Sequence, residues 1–155
     1  MTQEKLEAVA KDPKAFLLKS RMAEARIEAK RRRIETWREL AESITVTLKP
    51  DGGASGGGYK EGIVATAVAN IVDLENEIIN EIEGLVEAER DIREVIRELV
   101  YDGRYMAVLE MRYLNGYDWE DIGARLYYSK DWVCRLHGAA LKDIKGRIKS
   151  LPSAI

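Results

Sequence analysis

The sequence predicts an all-α protein, in which a long antiparallel helical hairpin resembling a coiled coil precedes a C-terminal three-helix helix-turn-helix bundle. Apolar residues recur every seven positions from residue 63 to residue 100, a Gly-rich segment separates this stretch from an earlier helical pattern, and two short capped helices follow. The predicted segments are an N-terminal helical arm (1–48), a Gly-rich flexible connector (49–62), a long acidic heptad helix (63–102) and a helix-turn-helix domain (103–149).

The N-terminal arm is predicted to contain one long helix. Asp12 is a good N-cap and Pro13 suits the first helical position, so we expect the helix to run from there to about Ser43. Its basic run 30–33 is interpreted as a solvated face that pairs with an acidic helix, with a second DNA-backbone contact as the alternative. The predicted apolar lines, with a change of face between them, are Leu18, Met22, Ala25 and Ala29, then Ile34, Trp37, Ala41 and Ile44.

The connector contains PDGGASGGGY, residues 50–59, which is the only low-complexity segment of the chain. Its glycines are not interpreted as a phosphate-binding loop, because no Gly-Lys-Ser/Thr follows them. Gly/Ser-rich composition is typical of flexible linkers. The segment is therefore predicted to let the chain reverse direction.

The long acidic helix has the most regular pattern in the sequence. At 1.5 Å rise per residue it would extend for roughly 55 Å, too long for a compact domain of this size, so its partner must be another long helix. The N-terminal arm is the nearest candidate, and a second protomer would cover the part of the seam that the shorter arm leaves open. The heptad positions are Val64, Ile71, Ile78, Leu85, Ile92 and Leu99, with Val68, Leu74, Ile82 and Ile96 predicted between them.

Three short helices are predicted at 104–114, 118–126 and 129–148. Asp118, supported by Asp121, and Ser129 are good N-caps for the second and third helices. Gly123 presents no side chain where another helix is expected to approach closely. The predicted inward residues are Ile122, Gly123 and Leu126 in the second helix, and Val133, Leu136, Ala140 and Ile144 in the third.

Tyr127 stands in the turn between the second and third helices, where such turns usually have glycine. In a left-handed conformation a non-glycine residue there costs about 1–2 kcal/mol. Either the turn is built differently, or packing of the Tyr127 ring compensates.

Charge is segregated along this chain of 155 residues, whose formal net charge is −2. Residues 129–149 carry six basic and two acidic side chains, whereas residues 61–102 carry three basic and twelve acidic ones. A local basic face can bind phosphates even on an acidic protein. The single cysteine, Cys134, permits no intramolecular disulfide, and no apolar run approaches the roughly 18 residues of a membrane span, so a cytoplasmic location without membrane contact is expected.

Residues 111–141, MRYLNGYDWEDIGARLYYSKDWVCRLHGAAL, resemble region four of bacterial sigma factors, which binds the promoter −35 element. Together with ESIT (42–45) and VANIVDLENEI (68–78), they resemble the phage sigma-region-four-like regulators of the RinA and ArpU type, over most of residues 14–148. The resemblance implies a transcription regulator of phage or prophage genes in a bacterial host, and it makes 103–149 the sigma-region-four-like domain. Trp132 and Cys134 stand where sigma factors commonly have arginine, so the −35 sequence preference is not transferred.

The function predicted first is sequence-specific binding of double-stranded DNA, with the hairpin serving homo-oligomerisation or contact with RNA polymerase. The alternatives are a phage packaging component that resembles a small terminase subunit and a coiled-coil adaptor with a degenerate helix-turn-helix. No enzyme activity, cofactor or metal is expected, because Cys134 and His137 lack an oxyanion site or further ligands; a structural or phosphate-facing role is expected for His137. The candidate DNA-binding residues are Ser129, Lys130, Asp131, Trp132, Arg135 and Lys142.

Overall fold

The computed structural model describes residues 1–47 and 57–152, and every regular element within those ranges is an α-helix. The all-α prediction is therefore confirmed for the described residues. The elements are α1 (Gln3–Lys11), α2 (Pro13–Thr47), α3 (Gly57–Leu99), α4 (Gly103–Tyr113), α5 (Trp119–Leu126) and α6 (Lys130–Ser150). In this part of the chain no helix combines the length and apolar content needed to cross a membrane.

The connector prediction for residues 49–62 needs a correction at its C-terminal end. Residues 57–62 are the first turns of α3, while residues 49–56 lie outside the described ranges. Gly58 and Gly62 line a surface cavity of about 450 Å³ together with Trp37 and Ile63, so these small residues lie beside a large aromatic ring.

Contacts divide the chain into two compact units, one formed by 1–22 with 85–155 and the other by 23–84. In the first unit, α1, the start of α2, the end of α3, α4 and α6 share one apolar core. Its fully buried side chains include Val9, Leu17, Ile92, Leu109 and Ile144. This core fixes the position of α6, which carries the candidate site.

Helix α1 is held in the first unit by its cap, one buried side chain and one ion pair. The Thr2 hydroxyl accepts a hydrogen bond from the Lys5 backbone N–H and begins the helix. Val9 is fully buried in the core. Lys5 pairs with Asp91 at 2.9 Å between Nζ and Oδ1, which raises the pKa of the lysine and holds α1 beside α3.

Helix α2 begins where it was predicted, since the Asp12 carboxylate accepts a hydrogen bond from the Ala15 N–H at 3.0 Å. Of the first predicted apolar line only Leu18 packs against the core; the rest of that line is wrong, since Met22 is 57% exposed and Ala25 and Ala29 are exposed as well. The predicted change of face is absent, because one continuous heptad line faces inward. A lysine within this line interrupts the apolar periodicity of the sequence. That line consists of Ala23, Ile27, Lys30, Ile34, Trp37, Ala41 and Ile44, all buried or half-buried.

Helix α3 keeps the predicted heptad residues at buried or half-buried positions. The predicted intermediate residues Val68 and Ile82 are instead 51% and 40% exposed, so that part of the prediction is wrong. The other two, Leu74 and Ile96, are buried as predicted, and Ala67, Glu81, Ala88 and Val95 also face inward. Small and charged residues therefore occupy places where the sequence pattern suggested larger apolar ones.

Ion pairs link α2 and α3 within the 23–84 unit. Glu81 binds Lys30 at 3.0 Å and Arg26 at 2.9 Å, and these hydrogen bonds lower the pKa of the Glu81 carboxyl group. Further along, Arg38 lies 3.5 Å from Glu75. Lys30 thus pairs with the acidic helix, as was predicted for the basic run, but it lies on the inward side of α2 and not on a solvated face.

Candidate nucleic-acid interface

Helix α5 is fixed by its N-cap and by one buried side chain. The Asp118 carboxylate accepts a hydrogen bond from the Asp121 N–H at 2.8 Å, as the predicted cap requires. Ile122 is fully buried and packs with Val108 of α4 and with Val133 and Leu136 of α6. Helices α4, α5 and α6 therefore share a second apolar cluster, which sets the relation of α5 to α6.

Gly123 of α5 lies very close to the backbone of the turn that follows the helix. A Cβ atom at Gly123 would lie 2.6 Å from the backbone oxygen of Tyr128. The Gly123 carbonyl itself accepts hydrogen bonds from the backbone N–H groups of Tyr127 and Tyr128. A close approach is thus present, but the backbone of the turn between α5 and α6 makes it, and not the partner helix that was predicted to cross there.

Tyr127 adopts the left-handed conformation, with φ 60° and ψ 39°. Its side chain is 95% exposed. An exposed ring does not recover the roughly 1–2 kcal/mol that this backbone conformation costs a non-glycine residue. Both alternatives are therefore wrong: the turn keeps the left-handed conformation at residue 127, and no packing of the ring compensates for its strain.

Helix α6 begins at the predicted cap and buries the predicted stripe. The Ser129 hydroxyl accepts a hydrogen bond from the Trp132 N–H at 3.2 Å. Val133, Leu136, Ala140 and Ile144 are all buried. These contacts hold one side of the helix in the protein, so the opposite side must face outward.

The outward side of α6 follows from helical spacing. Asp131, Arg135, Gly138 and Lys142 are three or four residues apart and therefore share one side. Arg135 and Lys142 are exposed, and Gly138 between them has no side chain that would cover the helix backbone. The same line continues through Lys145 and Lys149, both exposed, which the sequence interpretation did not include among the site residues. Their spacing of three and seven residues from Lys142 is the signal that identifies them.

The remaining predicted site residues lie at the N-terminal end of α6. The Ser129 hydroxyl is used by the cap, and the Lys130 amine lies 4.0 Å from Glu120 of α5. Trp132 is 41% exposed. Asp131 adds a negative charge to the first helical turn, where it stabilises the positive end of the helix dipole. The structure thus places all six predicted residues on α6 or at its cap.

A surface cavity of about 560 Å³ adjoins Lys142, and Tyr105 of α4 forms part of its wall. Within it, Arg147 pairs with Asp143 at 3.0 Å and lies 4.2 Å above the Tyr101 ring. The guanidinium charge is therefore partly neutralised. Lys142 is the better placed of the two cations to bind an anion from solution.

His137 is buried, with 7% of its surface exposed, so the phosphate-facing alternative is wrong. Its Nε2 lies 2.6 Å from the Tyr113 hydroxyl, and its ring meets Trp119 edge-on at 4.6 Å between centroids. Burial lowers the pKa of His137 to about 4 and raises the pKa of Tyr113 to about 12. The neutral histidine joins α4, α5 and α6, which is a structural role.

Comparison with known proteins adds no family to this description. No protein-family model matches the chain, and neither a curated protein nor a solved structure matches it. The resemblance to sigma-region-four-like regulators stays a prediction. The functional proposal therefore rests on the residues of α5 and α6.

Proposed function

We propose that this protein is a sequence-specific, double-stranded-DNA-binding regulator of phage or prophage genes, with α5, the turn and α6 as its helix-turn-helix. One observation carries the proposal. The outward side of α6 presents the basic line Arg135, Lys142, Lys145 and Lys149, while its inward side is anchored in two apolar clusters. A rigidly held helix with an exposed basic side suits insertion into a major groove.

Roles on the DNA follow from side-chain chemistry. Arg135 would donate two hydrogen bonds to the O6 and N7 atoms of a guanine, the commonest specific contact in the major groove. Lys142 and the lysines beyond it would bind phosphates and fix the position of the helix without reading sequence. Asp131 would accept a hydrogen bond from a cytosine amine. This contact would offset the repulsion between the Asp131 carboxylate and the nearby phosphates.

We further propose that α2 and α3 form an antiparallel hairpin that serves oligomerisation or contact with RNA polymerase. The ion pairs support it, since Arg26 and Lys30 meet Glu81 whereas Arg38, further along α2, meets the earlier Glu75. Part of α3 in the 23–84 unit leaves apolar side chains exposed. These side chains are Val68, Val72, Ile79 and Ile82.

The exposed apolar side chains of α3 also favour one alternative, a packaging component that resembles a small terminase subunit. Such a protein would join DNA-binding helices to helices that assemble a ring of many subunits. A regulator would form a complex of one or two chains with a defined DNA fragment. Measuring the mass of the protein alone and with DNA separates the two proposals.

Selection of bound fragments from a random duplex library tests the proposed function. Enrichment of one sequence motif is the expected result. Retention of all duplexes without a motif would favour a non-specific DNA-binding component, and no retention would remove DNA binding from the proposal.

Replacing Arg135 by alanine is expected to weaken binding to the selected motif by about 1–3 kcal/mol and to relax the preference for one base pair. The reason is the loss of a bidentate contact with a guanine. Fluorescence anisotropy with the selected duplex and its single-base variants measures both effects. Arg90→Ala, which removes an exposed arginine from α3, is the matched control. Equal affinities of the Arg135 variant and the wild type would show that this side of α6 does not read DNA.

Replacing Ile79 by aspartate is expected to reduce the oligomer to a monomer without loss of helicity. Ile79 is 55% exposed, so its removal leaves the protein core intact, while a charge in an apolar contact between copies is costly. Light scattering after size-exclusion chromatography gives the mass, and circular dichroism gives the helicity. Leu40→Asp, at an exposed apolar position of α2, is the control. A monomeric wild type would remove the oligomer from the proposal.

A further inference from the structure

Tyr127 combines a strained backbone with an unused side chain. Of the non-glycine residues described, it is the one with positive φ, and its ring is almost wholly exposed. Residues in such conformations persist where something other than local stability requires them, and they cluster at functional sites.

The folded turn does not require the tyrosine ring. The turn is held by backbone N–H groups of residues 127 and 128, which bond to the Gly123 carbonyl. Glycine would supply the same N–H and would adopt the left-handed conformation without strain. By contrast the next residue, Tyr128, is half-buried and packs against the Val108, Ile122 and Val133 cluster. Two adjacent tyrosines thus have different roles, and only the second serves the core.

The position of Tyr127 indicates a ligand for its side chain. It lies two residues before the Ser129 cap, directly ahead of the first turn of α6. When a recognition helix points its N-terminal residues at base edges, the residues just before it lie at the edge of the groove, beside the sugar–phosphate strand. Tyrosine hydroxyl groups are among the usual donors to phosphate oxygens.

We propose that the Tyr127 side chain contacts the DNA backbone, with its hydroxyl group donating to a phosphate oxygen and its ring packing on the adjoining sugar. The inference rests on the proposed function, because it needs α6 to dock on duplex DNA. It adds a contact that fixes the entry of α6 into the groove without reading sequence. In the left-handed conformation the ring is 95% exposed and therefore open to such a contact.

Two variants, Tyr127→Gly and Tyr127→Phe, test this contact in the full chain. Tyr127→Gly relieves about 1–2 kcal/mol of strain, which outweighs the roughly 0.5–1 kcal/mol of extra chain entropy that glycine loses on folding, so its melting temperature should rise by about 2–4 °C. Its affinity should fall about 3–10-fold, by the same factor for the selected duplex and for a scrambled duplex, because a backbone contact is independent of sequence. Tyr127→Phe should keep the melting temperature and lose part of the affinity. Tyr59→Phe, at an exposed tyrosine of α3, should change neither quantity.

Different outcomes separate failure of this contact from failure of the proposed function. If the wild type binds no duplex, the proposed function itself is removed. If the wild type binds DNA and Tyr127→Gly binds both duplexes equally well, the Tyr127 contact is disproved while the function stands. A melting temperature of Tyr127→Gly several degrees below that of the wild type, more than the added unfolded-state entropy of glycine explains, would show that the ring serves folding, which also overturns the contact. A loss confined to the selected duplex would make Tyr127 a base contact and overturn the backbone assignment.

Discussion

Replacing Gly123 by alanine is expected to lower the free energy of unfolding by about 1–3 kcal/mol. The added Cβ would lie 2.6 Å from the Tyr128 backbone oxygen, a distance that real Cβ atoms do not show. That oxygen belongs to the main chain of a turn whose N–H groups bond back to Gly123, so moving it breaks those hydrogen bonds. Urea unfolding followed by circular dichroism measures the loss.

Gly146→Ala is the matched control for this substitution. Gly146 lies in α6 with no atom near its missing Cβ, so alanine there should stabilise the helix by up to about 1 kcal/mol. Glycine-to-alanine substitution should therefore lower the free energy of unfolding at position 123 and raise it at position 146. If Gly123→Ala were as stable as the wild type, the turn would be further from α5 than the structure shows.

Stability is expected to fall as the pH drops from 6.5 towards 4, because His137 must gain a proton. Burial, together with Lys14 and Arg112, lowers the pKa of His137 in the folded protein from 6.5 to about 4. Between these values the unfolded chain binds the proton and the folded chain does not. The free energy of unfolding that depends on neutral His137 is thus fully present above pH 6.5 and is lost progressively towards pH 4. The total loss is at most about 3 kcal/mol.

His137→Gln separates this effect from the titration of carboxylates. Glutamine stays neutral, so the variant should show little change in stability between pH 6.5 and 5. Below about 4.5, acid should destabilise both proteins, because ion pairs hold the pKa of Glu81 and Glu94 below its ordinary value of 4.5. Urea midpoints measured at a series of pH values give the pH dependence of stability for the wild type and for the variant. An equally steep fall in the variant above pH 5 would contradict the buried, neutral histidine.

Local signals in the sequence predicted the two helices that carry the candidate site, with their caps and most of their buried residues. The caps at Asp118 and Ser129 and the inward residues of α5 and α6 depend on neighbours within a few positions, so helical spacing and side-chain chemistry suffice to find them. Lys145 and Lys149 were missed although the same spacing identifies them once the side of α6 that faces outward is known.

Features that depend on distant partners could not be predicted in this way. Lys30 and Glu81 occupy inward positions of α2 and α3 because each neutralises the other, and neither residue alone indicates a core position. Their presence disguised the heptad lines, which is why Met22, Val68 and Ile82 were assigned inward. The exposure of the Tyr127 ring likewise depends on what packs around the turn, which the spacing of the residues does not specify.

The central claim is that the outward side of α6 binds duplex DNA, and titration of isotope-labelled protein with the selected duplex tests it by nuclear magnetic resonance. The largest changes in backbone amide shifts are expected from Tyr127 to Lys142, with smaller changes at Lys145 and Lys149. The Glu81 and Lys30 amides should stay unchanged. Shifts concentrated in α2 or α3, with none in α6, would contradict the proposal.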